Sequence, residues 1–147
     1  VDLMRNDFGR ICVSGTVEVP RLLANEDHPG LRHLVSDVQG QVRLELSWKE
    51  ILESLSPPGS ISGAPKSSAV SVIRDNEVLR GPYCGALGWV QGTEAELSVA
   101  IRIFWKDEKL HFGTGAGITW SSNPQQEWEE TQLKARHLIS IAGGELS

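Results

Sequence analysis

Residues 57–66, PPGSISGAPK, constrain the fold most, because prolines and glycines here interrupt two stretches with helical periodicity. An amphipathic stretch runs up to this segment over residues 47–55, and a second helical stretch leaves it from Pro65 to about Ile73. Pro65 suits a first helical position, and Ser62 suits the N-cap region before it. Two interpretations stay open. The segment is a tight turn between helices, or it is a loop whose free N–H groups bind a carboxylate or phosphate.

The bulk composition indicates one folded domain with a proper hydrophobic core. The chain has 147 residues, of which 39% are hydrophobic, and its net charge of −5 argues against nucleic acid as a partner. Cys12 and Cys84 have no metal-ligand spacing, and no stretch has the length of a membrane span or the pattern of a secretory signal, so we expect a cytoplasmic protein without membrane contact. Because Val1 opens the chain in the middle of a helical pattern, we expect a piece of a longer protein.

Alternating and helical periodicities predict an α+β fold, with a mostly antiparallel β-sheet and helices packed on it. Residues 21–30 are polar and end in turn-forming residues, so they are predicted as a loop. We find no internal repeat and no linker that would divide the chain. The predicted helices are 1–10, 47–56, 65–73 and 124–141, and the predicted strands are 11–20, 31–38, 41–46, 81–90, 95–105 and 109–113.

Near the end of the chain, Glu127, Glu130 and Lys134 share one face of the predicted last helix. Two carboxylates on one face can bind Mg²⁺, which often takes its other ligands from water and substrate. A purely structural role is the alternative, since glutamates early in a helix stabilise its dipole and Glu130 can pair with Lys134.

Three further side chains could contact a ligand. Arg102 is predicted to share a strand face with Ala100 and Phe104, where a cation needs a partner such as a bound carboxylate. An exposed edge strand would explain it equally well. Tyr83 could donate a hydrogen bond or simply pack in the core. His33 could transfer a proton, although a lone histidine in a strand more often has a packing or surface role.

The glycine-rich residues 113–117, GTGAG, lack the spacing of a nucleotide-binding loop, and no helix follows them directly. They fit a close-packed turn or a backbone that approaches a small ligand. Taken together, these residues predict a site for a small polyanion and are compatible with Mg²⁺ there, but they do not identify the ligand.

Six segments, taken together and in order, resemble the chorismate-binding enzymes. This family includes anthranilate synthase component I, aminodeoxychorismate synthase component I, and the isochorismate and salicylate synthases. The form GSISGAPK with a later GITW resembles aminodeoxychorismate synthase more, with anthranilate synthase as the alternative. The six segments are VDLMRNDFGR, HLVSDVQG, PPGSISGAPK, RGPYCGALGW, VAIRIFW and GTGAGITWSSNPQQEWEETQLKA.

The resemblance implies a fold, an activity and a role for each matching residue. The fold would be the C-terminal part of the chorismate-binding domain, spanning residues 1–147. The full enzyme would add ammonia, supplied by a glutamine amidotransferase subunit, to Mg²⁺-bound chorismate. The implied roles are Mg²⁺ ligation by Glu127 and Glu130, catalysis by His33 and Lys134, contact of Tyr83 and Arg102 with the enolpyruvyl carboxylate, contact of Ser60 with the ring, and backbone contact from Gly115, Ala116 and Gly117.

Several departures from the family pattern bear on activity. Ser121, Ser122 and Asn123 stand where the family usually has aspartates. An acidic residue of the metal site, a lysine motif that separates the two aminating enzymes, and the N-terminal half of the fold would lie upstream of Val1. We therefore expect an isolated chain that does not turn over chorismate and that self-associates through an exposed apolar face. A truncated, non-catalytic domain that keeps the fold is the alternative from another functional class.

Overall fold

The computed structural model describes residues 1–28 and 31–144 and divides the chain into two compact units, Val1–Val70 and Ser71–Ser147. Each unit is described by itself. Within the described residues, no helix combines the length and the apolar character that crossing a membrane requires.

The first unit packs short helices beside a long two-stranded ribbon. Its small core contains Ile11, Cys12 and Ile51, with Phe8 and Trp48 among the side chains packed against it. The helix at Trp48–Leu55 begins with a capping box, because the Ser47 hydroxyl accepts from the Glu50 N–H and the Glu50 carboxylate accepts from the Ser47 N–H. The elements are α1 (Asp2–Gly9), β1 (Glu18–His28), β2 (Leu31–Gln39), α2 (Trp48–Leu55), α3 (Gly59–Ser62) and α4 (Lys66–Asn76), which continues past the unit boundary.

The first hairpin differs from its prediction. Strand β1 covers most of residues 21–30, which were predicted as a loop, and β2 pairs with it in antiparallel register. Ion pairs explain how polar residues form strands here: Arg21 donates across the ribbon to Asp37 at 2.8 Å and also to Glu26 in its own strand. The predicted turn at residues 29–30 lies outside the described residues. The predicted strands 11–20 and 41–46 are wrong over most of their length, since only a bridge joins Cys12 to Val42 there.

The second unit contains two hairpins and the long final helix. In the first hairpin of this unit, Gly88 has a φ of +157°, a conformation that favours glycine, since a Cβ atom there would lie 1.9 Å from the Glu96 carbonyl oxygen. Asn123 caps the final helix with its side-chain oxygen, and Pro124 occupies the first turn as predicted. The elements are β3 (Ala86–Gln91), β4 (Glu94–Val99), β5 (Phe104–Lys106), β6 (Leu110–Phe112) and α5 (Pro124–Ile141).

The predicted continuous strand 95–105 is broken. Strand β4 ends at Val99 and β5 begins at Phe104, and between them Arg102 has a φ of +54°, which no regular strand accommodates. Arg102 is exposed in this break, so the predicted strand face shared with Ala100 and Phe104 is wrong. Every described strand pair is antiparallel, and the mixture of hairpins and helices confirms the α+β prediction.

Candidate functional site

The central segment of the first unit is fixed by a buried ion pair. The Lys66 ammonium lies 2.8 Å from the Asp7 carboxylate, and the Asp7 side chain is only 3% exposed. The Gly59 N–H donates to the second Asp7 oxygen at 2.7 Å, and Lys66 also donates to the Ser54 carbonyl at 2.6 Å. Residues 57–66 are thereby tied to α1 and to the end of α2.

An anion does lie at the start of a helix in this segment, but it is a carboxylate of the chain itself. Asp7 accepts from the first residue of α3, whereas the sequence interpretation placed the anion of a ligand at the start of the next helix. Ser62 belongs to α3 and donates to the Pro58 carbonyl at 3.0 Å, so its predicted place in the N-cap region of the next helix is wrong. Asp7 was missed as a structural anchor because nothing in its local sequence distinguishes it.

Two predicted site residues, Ser60 and His33, belong to the first unit. Ser60 is exposed in α3, within the segment that Asp7 and Lys66 tie down. His33 is exposed in β2 and stands opposite Glu26 in the ribbon. The remaining predicted site residues belong to the second unit.

In the second unit, Tyr83 packs directly against the glycine-rich segment. A Cβ atom at Gly113 would lie 2.5 Å from the Tyr83 ring, and one at Gly115 would lie 3.1 Å from its hydroxyl oxygen. Glycine is therefore required at position 113 for the ring to lie where it does. Burial raises the pKa of Tyr83 to about 12, so its hydroxyl remains a neutral hydrogen-bond donor at physiological pH.

Backbone pairing brings Tyr83 and Arg102 to the same end of the β3–β4 hairpin. The Cys84 N–H donates to the Ala100 carbonyl, and the Ala100 N–H donates to the Gly85 carbonyl, each at 2.9 Å. These bonds extend the hairpin beyond the named strands. Tyr83 immediately precedes this pairing and Arg102 closely follows it, so both residues lie near the same end of the hairpin.

The glycine-rich segment also contacts the final helix. The Thr114 hydroxyl donates to the Thr131 carbonyl over a long 3.5 Å. Thr131 lies four residues after Glu127 and three before Lys134, so these three residues share one side of α5. Tyr83, residues 113–117 and this side of α5 are therefore neighbours within one unit.

The carboxylates of α5 already have partners in the chain. Ser122 donates to Glu127 at 2.6 Å, and Lys134 pairs with Glu130 at 2.6 Å. Among the described residues, no group of three or more carboxylate, histidine or cysteine side chains converges on one point. Two carboxylates on one helix side are nevertheless a type of donor set that Mg²⁺ takes, because this cation is commonly bound by one or two carboxylates while substrate and water supply the other oxygens.

Arg80 is a component of this region that the sequence interpretation missed. Its guanidinium carbon lies 5.7 Å from the centroid of the Tyr83 ring, and it donates twice to Glu77, at 2.7 and 2.6 Å. These bonds lower the pKa of Glu77 and raise that of Arg80. Since Arg80 stands three residues before Tyr83, the signal in the sequence was a cation close to a tyrosine in a proline- and glycine-rich turn.

Comparison with known proteins places this geometry in a family. The sequence profile described as chorismate binding enzyme matches residues 1–140. The chain is 41% identical to anthranilate synthase component 1 of Saccharolobus solfataricus over 97% of its own length and 35% of the relative's. It is 39% identical to the Acinetobacter calcoaceticus protein of the same name, covering 95% of this chain and 29% of that one.

The fold agrees with the sequence comparison. The crystal structure of anthranilate synthase component I from Streptococcus pneumoniae superposes on 93% of this chain and 32% of its own, with a TM-score of 0.77 and 35% sequence identity. This chain thus spans about a third of the length of the curated relatives that it matches. The ordered sequence segments, the family profile and the fold lead to one conclusion: the chain belongs to the chorismate-binding enzyme family.

Proposed function

We propose that this chain forms the C-terminal part of an anthranilate synthase component I, and that its second unit holds the carboxylates of Mg²⁺-bound chorismate. The observation that carries the proposal is the packing of Tyr83 on Gly113 and Gly115, beside the side of α5 that bears Glu127 and Lys134. The relatives named above favour anthranilate synthase, the alternative in the sequence interpretation, over aminodeoxychorismate synthase.

Each predicted residue has a chemical role in this proposal. Tyr83, as a neutral donor, and Arg102, as a fixed cation, would bind the enolpyruvyl carboxylate from one end of the β3–β4 hairpin. The glycine backbone at residues 115–117 would let the ligand approach closely, because no side chain intervenes. Ser60 would contact the ring, as the family resemblance implies.

Glu127 and Glu130 would hold the magnesium ion, which supplies charge stabilisation for the ring carboxylate of the substrate. Glu130 is paired with Lys134 in the free chain, so metal binding by Glu130 would leave the Lys134 ammonium available to donate a hydrogen bond or a proton. His33 is proposed to act near the departing ring hydroxyl. Ammonia would come from a glutamine amidotransferase partner of the whole enzyme.

Calorimetric titration of the purified chain with chorismate, with and without Mg²⁺, tests the proposal. We expect binding that depends on Mg²⁺ and that weakens in Glu127→Gln and Glu130→Gln. Glu129→Gln is the matched control, because Glu129 is an exposed neighbour on α5 that pairs with Gln125. If chorismate does not bind with Mg²⁺ present, or if all three variants bind like the unchanged chain, the proposed site is wrong.

Chromatography of mixtures containing chorismate, ammonium and Mg²⁺ tests the reaction itself. We expect no product from the isolated chain, consistent with a domain that binds without turnover. Formation of anthranilate would overturn that expectation while supporting the proposed branch. Formation of aminodeoxychorismate would restore the other aminating enzyme as the better assignment.

A further inference from the structure

Arg80 and Glu77 form a rigid pair beside the only tyrosine of the chain. The two parallel hydrogen bonds between them, at 2.7 and 2.6 Å, fix the plane of the guanidinium in a way that a single contact would not. The Arg80 side chain is only 24% exposed, which places its cation partly out of water. A cation held in this way attracts an aromatic ring more strongly than one that moves freely in solvent.

The Tyr83 ring is confined by two different kinds of contact. The Arg80 guanidinium lies 5.7 Å from the ring centroid, and the backbone at Gly113 leaves no room even for a methyl group beside the ring. The hydroxyl oxygen is near Gly115, so the ring points toward the segment proposed to approach the ligand. The ring therefore has the Arg80 guanidinium near its centroid and the glycine backbone in close contact with it, and both contacts limit the positions it can take.

We propose that Arg80, oriented by Glu77, is a positioning residue that holds the Tyr83 hydroxyl in the direction required to bind a ligand carboxylate. This inference rests on the proposed function for its ligand, but the position of the ring can be measured without one. It requires arginine in particular, because lysine keeps the charge but lacks the planar group that binds Glu77 through two bonds.

A single tyrosine makes the test specific. When the protein is labelled with ¹³C at the tyrosine ζ carbon, its NMR spectrum contains one tyrosine resonance, which reports the surroundings of Tyr83 alone. In the free protein, we expect Arg80→Met to move this resonance toward that of an unfolded chain, and Arg80→Lys and Glu77→Gln to move it part of the way. Arg74→Met is the matched control, because Arg74 pairs with its exposed neighbour Asp75 and loses the same charge.

The tryptophan indole signals serve as the check on folding in every variant. If Arg80→Met does not fold, Arg80→Lys and Glu77→Gln decide the question, because they remove less of the side chain. An unchanged Tyr83 resonance in the folded variants would overturn the inference. So would an equal change in Arg74→Met.

Titration of the same proteins with chorismate and Mg²⁺ separates the inference from the proposed function. We expect the Tyr83 resonance of the unchanged chain to shift, and the dissociation constant to rise about twofold to fivefold in Arg80→Met, with partial recovery in Arg80→Lys. Absence of any shift in the unchanged chain would refute the proposed function, while the free-protein comparison would still decide the role of Arg80. Equal affinities in the unchanged chain and Arg80→Met would refute the positioning role.

Discussion

The Asp7 carboxylate and the Lys66 ammonium form an ion pair 2.8 Å long, whose side chains are only 3% and 13% exposed. The pair is completed by hydrogen bonds from the Gly59 N–H and to the Ser54 carbonyl, so each charge has a second partner. A buried pair of this kind adds little net stability when intact, because desolvation offsets the attraction. Removing one member of the pair, however, is strongly destabilising, because the other charge stays buried without its partner.

Replacing Lys66 by Met should therefore lower the free energy of unfolding by about 3–5 kcal/mol, because Asp7 is left as a buried charge without its cation. Urea unfolding followed by circular dichroism measures the change. Arg74→Met is the control, since its exposed pair with Asp75 should contribute at most about 1 kcal/mol. Equal effects of the two substitutions would show that the Lys66 pair is not buried in solution.

Replacing Gly113 by Ala should displace the Tyr83 ring, because the added methyl group would lie 2.5 Å from it. Overpacking of this kind costs about 1–3 kcal/mol. Gly117→Ala is the matched control within the same segment, since no atom lies within 4 Å of its added methyl group, and it should change stability by less than about 0.5 kcal/mol. Thermal unfolding of both variants measures the difference, and similar melting temperatures would contradict the packing.

The pKa of Tyr83 should be higher in the folded chain than in the unfolded chain. Burial raises its pKa from 10.0 to about 12, so between these values the folded chain holds a proton that the unfolded chain has lost. Stability should consequently fall as the pH rises from about 10 toward 12. Tyrosinate absorbance follows this single residue, and the same titration in concentrated urea should return the ordinary value. A midpoint near 10 in the folded chain would contradict the burial.

Ser122 provides a test of the proposed metal site. Its hydroxyl donates to Glu127, and the family resemblance implies aspartates in the segment that contains Ser122. Ser122→Asp should cost about 0.5 kcal/mol without metal, through repulsion between like charges. With Mg²⁺ present, the added carboxylate should bind the ion, and the melting temperature should rise more than in the uncharged control Ser122→Asn. Equal responses of both variants to Mg²⁺ would argue against a metal at Glu127.

Several large apolar side chains are almost fully exposed, including Leu44, Leu79 and Trp120. Exposed apolar surface favours association, so the chain should self-associate as its concentration rises. Sedimentation velocity over a range of concentrations measures this, and adding salt should not reverse it, since screening weakens charge pairs and not apolar contacts. A constant monomeric sedimentation coefficient throughout would contradict the prediction.

The sequence predicted the positions of the long helices better than those of the strands. Helix starts depend on local signals such as Ser47 with Glu50 and Asn123 with Pro124, and both predicted helix starts are present in the structure. Strand β1 was missed because Arg21 gains its partner Asp37 only through pairing with a distant strand. The break at Arg102 was missed because an apolar, β-branched stretch gives no local sign of a positive φ.

In the candidate site too, features set by local spacing were predicted, and features set by contacts between distant residues were not. Glu127, Glu130 and Lys134 share a helix side because helical spacing fixes it, and the Lys134–Glu130 pair follows from the same rule. The contact of Tyr83 with Gly113, 30 residues away, depends on how the hairpins return to one another, which spacing alone does not determine. The contact between Arg80 and the Tyr83 ring likewise could not be predicted without the position of the ring.

The bond between Gly59 and Asp7 joins positions 52 residues apart, and Lys66 depends on the same carboxylate. Substitutions at these three positions should therefore depend on one another as related sequences diverge. A lineage that loses Lys66 first carries a buried, uncompensated charge, so we expect neutral residues to be found at positions 7 and 66 together and seldom at one alone. At position 59, a Cβ atom would lie 3.3 Å from the Asp7 carboxylate, which would have to shift by a few tenths of an ångström, so we expect only small residues there.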